Sequence, residues 1–198
     1  MTTVVLLRHS PTAFNAERRL QGSLDVALDD AGVAQAQAVA QALVSRQGAP
    51  DLLLTSPLAR AYQTADAIAR VAGVEAVADA RLSQRSYGEW EGLTWDEVRA
   101  RWPVEYERRM AGLDPRIAGW DGSAAVGARV AACVQEAVEG RDLVVAVSHG
   151  SAIMLGTLAL LGLDSYSRVL GHLEHGRWSV LRQRSEGEWT LERYAIGG

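Results

Sequence analysis

The chain alternates short apolar runs with longer segments in which small apolar residues recur among polar ones. Apolar runs occupy 4–7, 52–54 and 143–147, and the first and the last of them contain β-branched valines. Runs of this length are typical of buried strands, and a longer segment with helical periodicity follows each of them. Regular alternation of strand and helix predicts an α/β fold with a mostly parallel sheet.

Helix start and stop signals bound two of the periodic segments. "LDDAGVAQAQAVAQALVSRQG" predicts a helix with Asp29 or Asp30 as its cap and Gly48 after its last turn. "PLARAYQTADAIARVAG" predicts a second helix with Pro57 in its first turn and Gly73 after its end.

The middle of the chain has a weaker pattern. Residues 74–78 predict a short strand, 94–110 a charged helix disturbed by Pro103, and 123–139 a helix of small residues. The segment 95–125 is rich in Trp, Arg and Glu, and we expect it to form a lid that selects the substrate.

The last third repeats the opening arrangement. "RDLVVAVSHG" predicts a strand that ends in a histidine, and "SAIMLGTLALLG" predicts the helix behind it. "RWSVLRQ" and "EWTLERYA" predict a C-terminal β-hairpin whose turn contains Ser185, Glu186 and Gly187. We expect one domain over 1–198.

Composition narrows the possible functions. The chain has 198 residues, 48% of them hydrophobic, and a net charge of −4, which argues against a general nucleic-acid surface. The single Cys133 has no internal disulfide partner, and no apolar stretch has membrane length. These features predict a cytoplasmic protein with a small-molecule or protein substrate and without a nucleic-acid or membrane partner. All 20 of its cationic side chains are arginines.

Polar side chains follow three of the predicted strands. Arg8 and His9 end the first, the segment 56–60 follows the second, and His149 ends the strand at 143–147. Ligands of open α/β sheets bind beyond the carboxyl ends of the strands, so we expect these groups to meet. Two arginines and two histidines suit a phosphate dianion, and a neutral imidazole is a competent nucleophile toward phosphorus.

Five sequence blocks then carry a family resemblance: "LLRHSPTAFN", "LQGSLDVALDDAGVAQAQ", "TSPLARAYQTA", "YGEWEGLT" and "VSHG". Their order over about 4–156 resembles the histidine phosphatase superfamily, in the branch of cofactor-dependent phosphoglycerate mutases and broad-specificity phosphatases. The resemblance implies a three-layer α/β/α sandwich and a phosphatase of small phosphomonoesters that needs neither metal nor cofactor.

The resemblance also implies roles for individual residues. His9 would be the nucleophile that becomes phosphorylated, and Arg8, Arg60 and His149 would hold the phosphoryl oxygens. A further set would line the substrate pocket: Asn15, Gln21, Gly22, Gln84 and Gly150.

The chain departs from the family at Gln84, where relatives usually carry a glutamate that protonates the departing alcohol and then activates water. An amide cannot transfer a proton at neutral pH, and general acid–base catalysis is typically worth ~10² to 10⁴ in rate. Glu89, Glu91 or Glu174 could replace the missing acid, or the substrate could have a good leaving group. The site could also bind phosphate with little turnover, or Gln84 could be an introduced substitution that traps an intermediate.

Smaller departures concern the surroundings of the pocket. Ser10 stands where the family has glycine, and "DGSAA" lacks a carboxylate that relatives carry before the later helix. His172 and His175 are expected near the phosphate as neighbours rather than catalysts. Two alternatives to a phosphatase stay open: a phosphoglycerate mutase-type phosphotransferase, and a weakly active or non-catalytic protein that binds a phosphorylated ligand. The protein is expected to be a monomer or a homodimer.

Overall fold

A mixed sheet forms the centre of the computed structural model, which describes residues 1–184 and 187–197. Its described strands run in the order β3-β2-β4-β1-β5-β6. β1 to β4 are mutually parallel where they pair, β5 is antiparallel to β1, and β6 is antiparallel to β5. The strands are β1 (Thr2–Arg8), β2 (Leu52–Thr55), β3 (Ala76–Ala78), β4 (Leu143–Ser148), β5 (Trp178–Gln183) and β6 (Trp189–Ile196).

Helices cover both faces of this sheet. They are α1 (Ala13–Ala16), α2 (Asp30–Gln47), α3 (Ala59–Ala72), α4 (Trp95–Arg101), α5 (Pro103–Met110), α6 (Ser123–Ala137) and α7 (Gly150–Leu160). Val5 and Leu7 of β1 belong to the hydrophobic cluster that includes α2 and α3, whereas Val4 and Leu6 belong to the cluster that includes α6 and α7. Alternate residues of the buried strand therefore serve opposite layers. The predicted α/β/α sandwich with a mostly parallel sheet is confirmed.

The helix ends follow the sequence signals with one exception. The Asp29 carboxylate accepts a hydrogen bond from the Gly32 N–H at 2.7 Å at the start of α2, and Gly73 adopts φ = 70° after α3. Pro57 does not lie in the first turn of α3, as the sequence suggested. The helix begins at Ala59 because its N–H is capped at 2.7 Å by the carboxylate of Asp25, a residue distant in sequence.

The charged segment 94–110 forms two helices rather than one. Pro103 is the first residue of α5, where its missing N–H has no helical partner to lose. Trp90, Trp95 and Trp120 pack together beneath these helices in a separate aromatic cluster. That this part of the chain acts as a lid stays a prediction.

The C-terminal strands form the predicted antiparallel pair. Ser185 and Glu186 of the predicted turn lie outside the described residues. Among the helices of the described residues, none combines the length and the apolar character that crossing a membrane requires.

Candidate active site

The carboxyl ends of β1, β2 and β4 place His9, Ser56 and His149 side by side. Parallel pairing continues past the strands, since the His9 N–H donates to Ser148 O and the Ser56 N–H to Val147 O, both at 2.9 Å. The imidazole rings of His9 and His149 lie 5.0 Å apart, centroid to centroid. The structure therefore brings together the two histidines that the sequence placed on different strands.

His9 is held as a neutral imidazole with one free lone pair. Its Nδ1 lies 2.7 Å from the carbonyl oxygen of Ser10, which can only accept, so the proton is assigned to Nδ1. Burial, and then the nearby Arg60 and Arg8, lower the pKa of His9 well below its ordinary value. Nε2 is left with the lone pair that nucleophilic attack requires.

Ser10 is compatible with this backbone. Among the described non-glycine residues only Arg18 and Ala195 have a positive φ, so the position after His9 does not demand glycine. The Ser10 N–H donates to Thr64 Oγ1 at 3.1 Å, which ties the loop after His9 to α3.

Arg60 joins α3 to the loop before α2. Its side chain is buried, and Nη1 and Nη2 donate to the carbonyls of Leu24 and Gly22 at 2.7 and 2.8 Å. Gly22 has φ = 54°, and a Cβ there would lie 2.1 Å from Glu91 Oε1. A side chain at this position would displace the loop that holds the Arg60 guanidinium.

Arg8 is fixed by the segment before β5. Nη1 donates to Leu173 O at 2.6 Å and bonds His172 Nε2 at 2.9 Å, and Nη2 bonds His175 Nε2 at 2.7 Å. A Cβ on Gly150 would lie 3.3 Å from Arg8 Cζ, so the glycine leaves room for the guanidinium.

His149 caps the start of α7 and lies against Ser56. Its Nε2 is 2.9 Å from Ser56 Oγ, which also accepts from the Leu58 N–H at 3.3 Å. We assign the Ser56 hydroxyl hydrogen to His149 Nε2, and this assignment places the imidazole proton on Nδ1. Burial, and then His9, lower the pKa of His149 well below its ordinary value.

Several buried polar atoms around His9 have no hydrogen-bond partner among the described residues. They are Arg8 Nε, Arg60 Nε, His149 Nδ1 and Gln21 Oε1. Burying a polar N–H without a partner is unfavourable, and native proteins rarely do so. Three donors that flank one imidazole fit the oxygens of a phosphoryl group.

A cleft of about 440 Å³ opens beside these groups. Its lining includes the predicted residues Arg8, His9, Asn15, Gln21, Gly22, Arg60 and Gln84. Within residues 1–184 and 187–197, five arginines and no Asp or Glu line it, although the whole chain carries a net charge of −4. The cleft is suited to anions. Gly150 lines an adjoining cavity of about 180 Å³ that also contains Gln84.

Glu89, Glu91 and Glu174, the three alternative acids, do not line this cleft. Glu89 and Glu174 are exposed, and Glu174 pairs with Arg177 at 3.8 Å. The Glu91 carboxylate accepts hydrogen bonds from Ser23 N, Ser23 Oγ, Ser86 Oγ and Tyr87 N, at 2.8 to 3.2 Å from Oε1. The Glu91 carboxylate thus joins the loop that contains Ser23 to the loop that contains Ser86 and Tyr87.

A carboxylate does stand before α6, but it comes from a position outside "DGSAA". Asp114 accepts from the Ser123 N–H and hydroxyl, both at 2.6 Å, from Arg85 Nη2 at 2.8 Å and from Trp120 Nε1 at 3.1 Å. Burial alone would raise the pKa of Asp114, but these donors hold it well below its ordinary value.

Sequence reasoning missed Arg109, which lines both the cleft and the adjoining cavity. The guanidinium makes no hydrogen bond or ion pair with the described residues, and burial lowers its pKa. Within a helix as charged as α5, an arginine on the cleft side has no distinguishing sequence signal. Sequence reasoning also missed Tyr87 and Ser151, which line the cleft and are joined by a 3.1 Å hydrogen bond.

The described residues contain no group of three or more His, Cys, Asp or Glu side chains that could hold a metal ion.

Known proteins resemble the chain over its whole length. It is 38% identical to a glucosyl-3-phosphoglycerate phosphatase of Mycolicibacterium vanbaalenii, over 93% of this chain and 87% of the relative. It is 32% identical to phosphoserine phosphatase 1 of Hydrogenobacter thermophilus, over 92% of each.

A solved structure also resembles the chain in its fold. Mycobacterial glucosyl-3-phosphoglycerate phosphatase in complex with VO3 superposes with a TM-score of 0.87 at 31% identity, covering 98% of this chain and 99% of that one. These relatives are phosphatases of small phosphomonoesters. The pattern of the histidine phosphatase superfamily (branch 1) matches residues 4–197, and the chain belongs to that superfamily, as its sequence blocks predicted.

Proposed function

We propose that this chain hydrolyses small phosphomonoesters through a phosphohistidine formed at Nε2 of His9. The observation that carries the proposal is the state of His9: its Nδ1 proton is tied to Ser10 O, which leaves Nε2 as the lone-pair nitrogen. The unpartnered donors of Arg8, Arg60 and His149 stand around the same imidazole.

In the first step, the Nε2–P bond forms while the bond from phosphorus to the ester oxygen breaks. Arg8 Nε, Arg60 Nε and His149 Nδ1 donate to the three equatorial oxygens, over which the transferring phosphoryl spreads its negative charge. Water then attacks the phosphohistidine, which releases inorganic phosphate and restores the neutral imidazole.

The departing oxygen needs a proton unless it is already a stable anion, and none of the carboxylates that the structure describes lines the cleft. We propose that Gln84 occupies the position of the usual acid. Phenolic and acyl phosphates should therefore be hydrolysed faster than alkyl phosphates. The amide also cannot activate water, so the phosphohistidine should accumulate during turnover.

The substrate is proposed to carry a second negative group. Arg109 and Arg18 line the cleft without a hydrogen-bond or ion-pair partner among the described residues, whereas Arg19 pairs with Glu17 at 2.8 Å. The relatives are named for glucosyl-3-phosphoglycerate and phosphoserine, which both carry a carboxylate near the phosphate. A carboxylated phosphomonoester matches this excess of positive charge.

Two further expectations belong to this proposal. An acidic chain with a pI near 5.6 suits action in the cytoplasm, away from nucleic acids and membranes. A monomer or a homodimer would both be compatible with a cleft built from a single chain.

The experiment is rapid quenching during turnover of p-nitrophenyl phosphate, followed by mass spectrometry under alkaline conditions that preserve phosphohistidine. We expect one phosphoryl group on His9 in the wild-type chain and none in His9→Ala, which should also lose turnover. As a control, Glu174→Gln should retain both label and turnover. Turnover by His9→Ala, or a label on another residue, would refute the proposal.

A further inference from the structure

All four histidines of the chain lie in one cluster, although only two of them flank the proposed phosphoryl site. His175 lies edge-on to His9 with 5.3 Å between ring centroids, and His172 lines the cleft. Both bond Arg8 through Nε2, at 2.7 and 2.9 Å. The mechanism proposed above assigns them no task.

The chemistry of the two bonds fixes the protonation of both rings. A guanidinium has only N–H donors, so each Nε2 must present a lone pair. His172 and His175 are therefore neutral, with the proton on Nδ1, when Arg8 is in this position.

The same bonds decide which donors Arg8 keeps. Of its five N–H groups, Nη1 gives two, to His172 and to Leu173 O, and Nη2 gives one, to His175. One N–H remains on Nε and one on Nη2. These nitrogens are neighbours in the guanidinium plane, and such a pair can grip two oxygens of one phosphoryl group.

The segment that carries both histidines is fastened to the same strand end. The Gly176 N–H donates to Arg8 O at 3.1 Å, and the Arg8 N–H donates to Arg177 O at 3.0 Å. Leu173, which lies between the two histidines in the sequence, is buried. The acceptors are thus held in place by the backbone as well as by the guanidinium.

We propose that His172 and His175 are positioning residues that act only as neutral acceptors, holding Arg8 so that its Nε and Nη2 face the phosphoryl group. This inference rests on the proposed function for its role in turnover. Protonation of either ring would remove an acceptor and place a second cation beside Arg8.

Acid should therefore release Arg8. Burial, and then Arg8, lower the pKa of His175 to about 3, and the same two causes lower the pKa of the more exposed His172. Both rings are neutral at neutral pH, and phosphate binding falls as the pH drops through the pKa of His172. The other titratable or charged groups near the two histidines and Arg8 are His9, Arg60, Tyr87, Arg109, Glu174 and Tyr194.

The experiment compares matched substitutions at each position, His172→Gln with His172→Leu and His175→Gln with His175→Leu. Glutamine keeps an acceptor that cannot be protonated, and leucine has none. Calorimetric binding of inorganic phosphate is the first readout, and kcat/KM for p-nitrophenyl phosphate is the second. Val169→Ala, at an exposed position of the same connecting segment, is the control.

We expect leucine at either position to weaken phosphate binding about 10- to 100-fold, the usual effect of losing a hydrogen bond to a charged group, and glutamine to restore it to within about 3-fold. His172→Gln should also shift the acidic limb of binding to lower pH, whereas His175→Gln should leave that limb in place. The ionisation of phosphate itself is common to all variants and cancels in the comparison.

Equal binding by the leucine and wild-type chains would overturn the inference, as would an acidic limb that His172→Gln does not move. If the leucine chains fail to fold, the pH profiles of the glutamine chains decide the matter. A wild-type chain that binds phosphate but does not turn over p-nitrophenyl phosphate would refute the proposed function alone, because the binding comparison still tests the positioning role.

Discussion

The two ends of the cleft are built in different ways. We call the end proposed to hold the phosphoryl group the phosphoryl end. There, Arg8, His9 and His149 lie at strand ends, and Arg60 lies in the first turn of α3. The opposite end is formed by side chains from irregular or short elements, among them Gln84, Tyr87 and Arg109.

The two ends of the cleft therefore differ in how firmly their side chains are held. Strand ends are fixed by the hydrogen bonds of a buried sheet, so the phosphoryl end is rigid and its donors converge. The opposite end depends on how α5 and the aromatic cluster pack, and it can vary without disturbing the sheet. We infer that the first end determines the chemistry and the second determines which phosphomonoester is accepted.

Arg60→Met should break the phosphoryl end most severely. The variant removes the buried cation and also frees the carbonyls of Gly22 and Leu24, which Arg60 now holds. We expect kcat/KM for p-nitrophenyl phosphate to fall about 10³-fold, as when a single transition-state donor is lost, and urea unfolding to show lower stability. Arg70→Met, on the exposed side of the same helix, is the control and should change neither quantity. Retained activity would remove Arg60 from the phosphoryl site.

Gln84→Glu should change the opposite end by restoring a group that can transfer a proton. We expect kcat/KM for an alkyl phosphate such as phosphoserine to rise about 10²-fold or more, since general acid catalysis is worth that much. The value for p-nitrophenyl phosphate, whose leaving group is already acidic, should change only a few-fold. Gln84→Met separates loss of the amide from gain of the carboxylate. Equal gains on both substrates, or none, would refute the assignment of Gln84 to the acid position.

The same division explains what the sequence could predict. An apolar run followed by Arg8 and His9 is a local pattern, and parallel strands bring local patterns to one edge. That Arg8, His9, Arg60 and His149 lie together could therefore be predicted before the fold was known. The start of α3 at Ala59 could not be predicted, because Asp25, which accepts the Ala59 N–H, comes from a different loop.

The opposite end has no comparable signal. Arg109 is one of several charged residues of α5, and only the packing of that helix turns it toward the cleft. His172 and His175 were predicted as neighbours of the phosphate, but their bonds to Arg8 depend on the path of an irregular segment between α7 and β5. Side-chain roles that depend on irregular backbone are not encoded in periodicity.

Arg109→Met should alter only the selectivity between substrates with and without a carboxylate, because Arg109 lies at the opposite end of the cleft. We expect kcat/KM for phosphoserine to fall about 10-fold relative to that for phosphoethanolamine, which lacks the carboxylate, because one charge-assisted hydrogen bond is lost. Turnover of p-nitrophenyl phosphate should stay within about 2-fold, because no donor at the phosphoryl end changes. Arg116→Met provides a matched loss of charge outside the cleft lining. A uniform loss on all three substrates would place Arg109 with the phosphoryl groups.

The smallest expected effect is that of a chelator. In the proposed mechanism the charge of the transferring phosphoryl is balanced by guanidinium and imidazole donors, which bind no metal and remain when metal is removed. Incubation with EDTA followed by desalting should therefore leave kcat/KM for p-nitrophenyl phosphate and for phosphoserine unchanged within error. A loss confined to phosphoserine and reversed by Mg²⁺ would assign a metal to the carboxylate end of the cleft, and a loss on both substrates would refute charge balance by side chains. The two substrates together thus test the ends of the cleft separately.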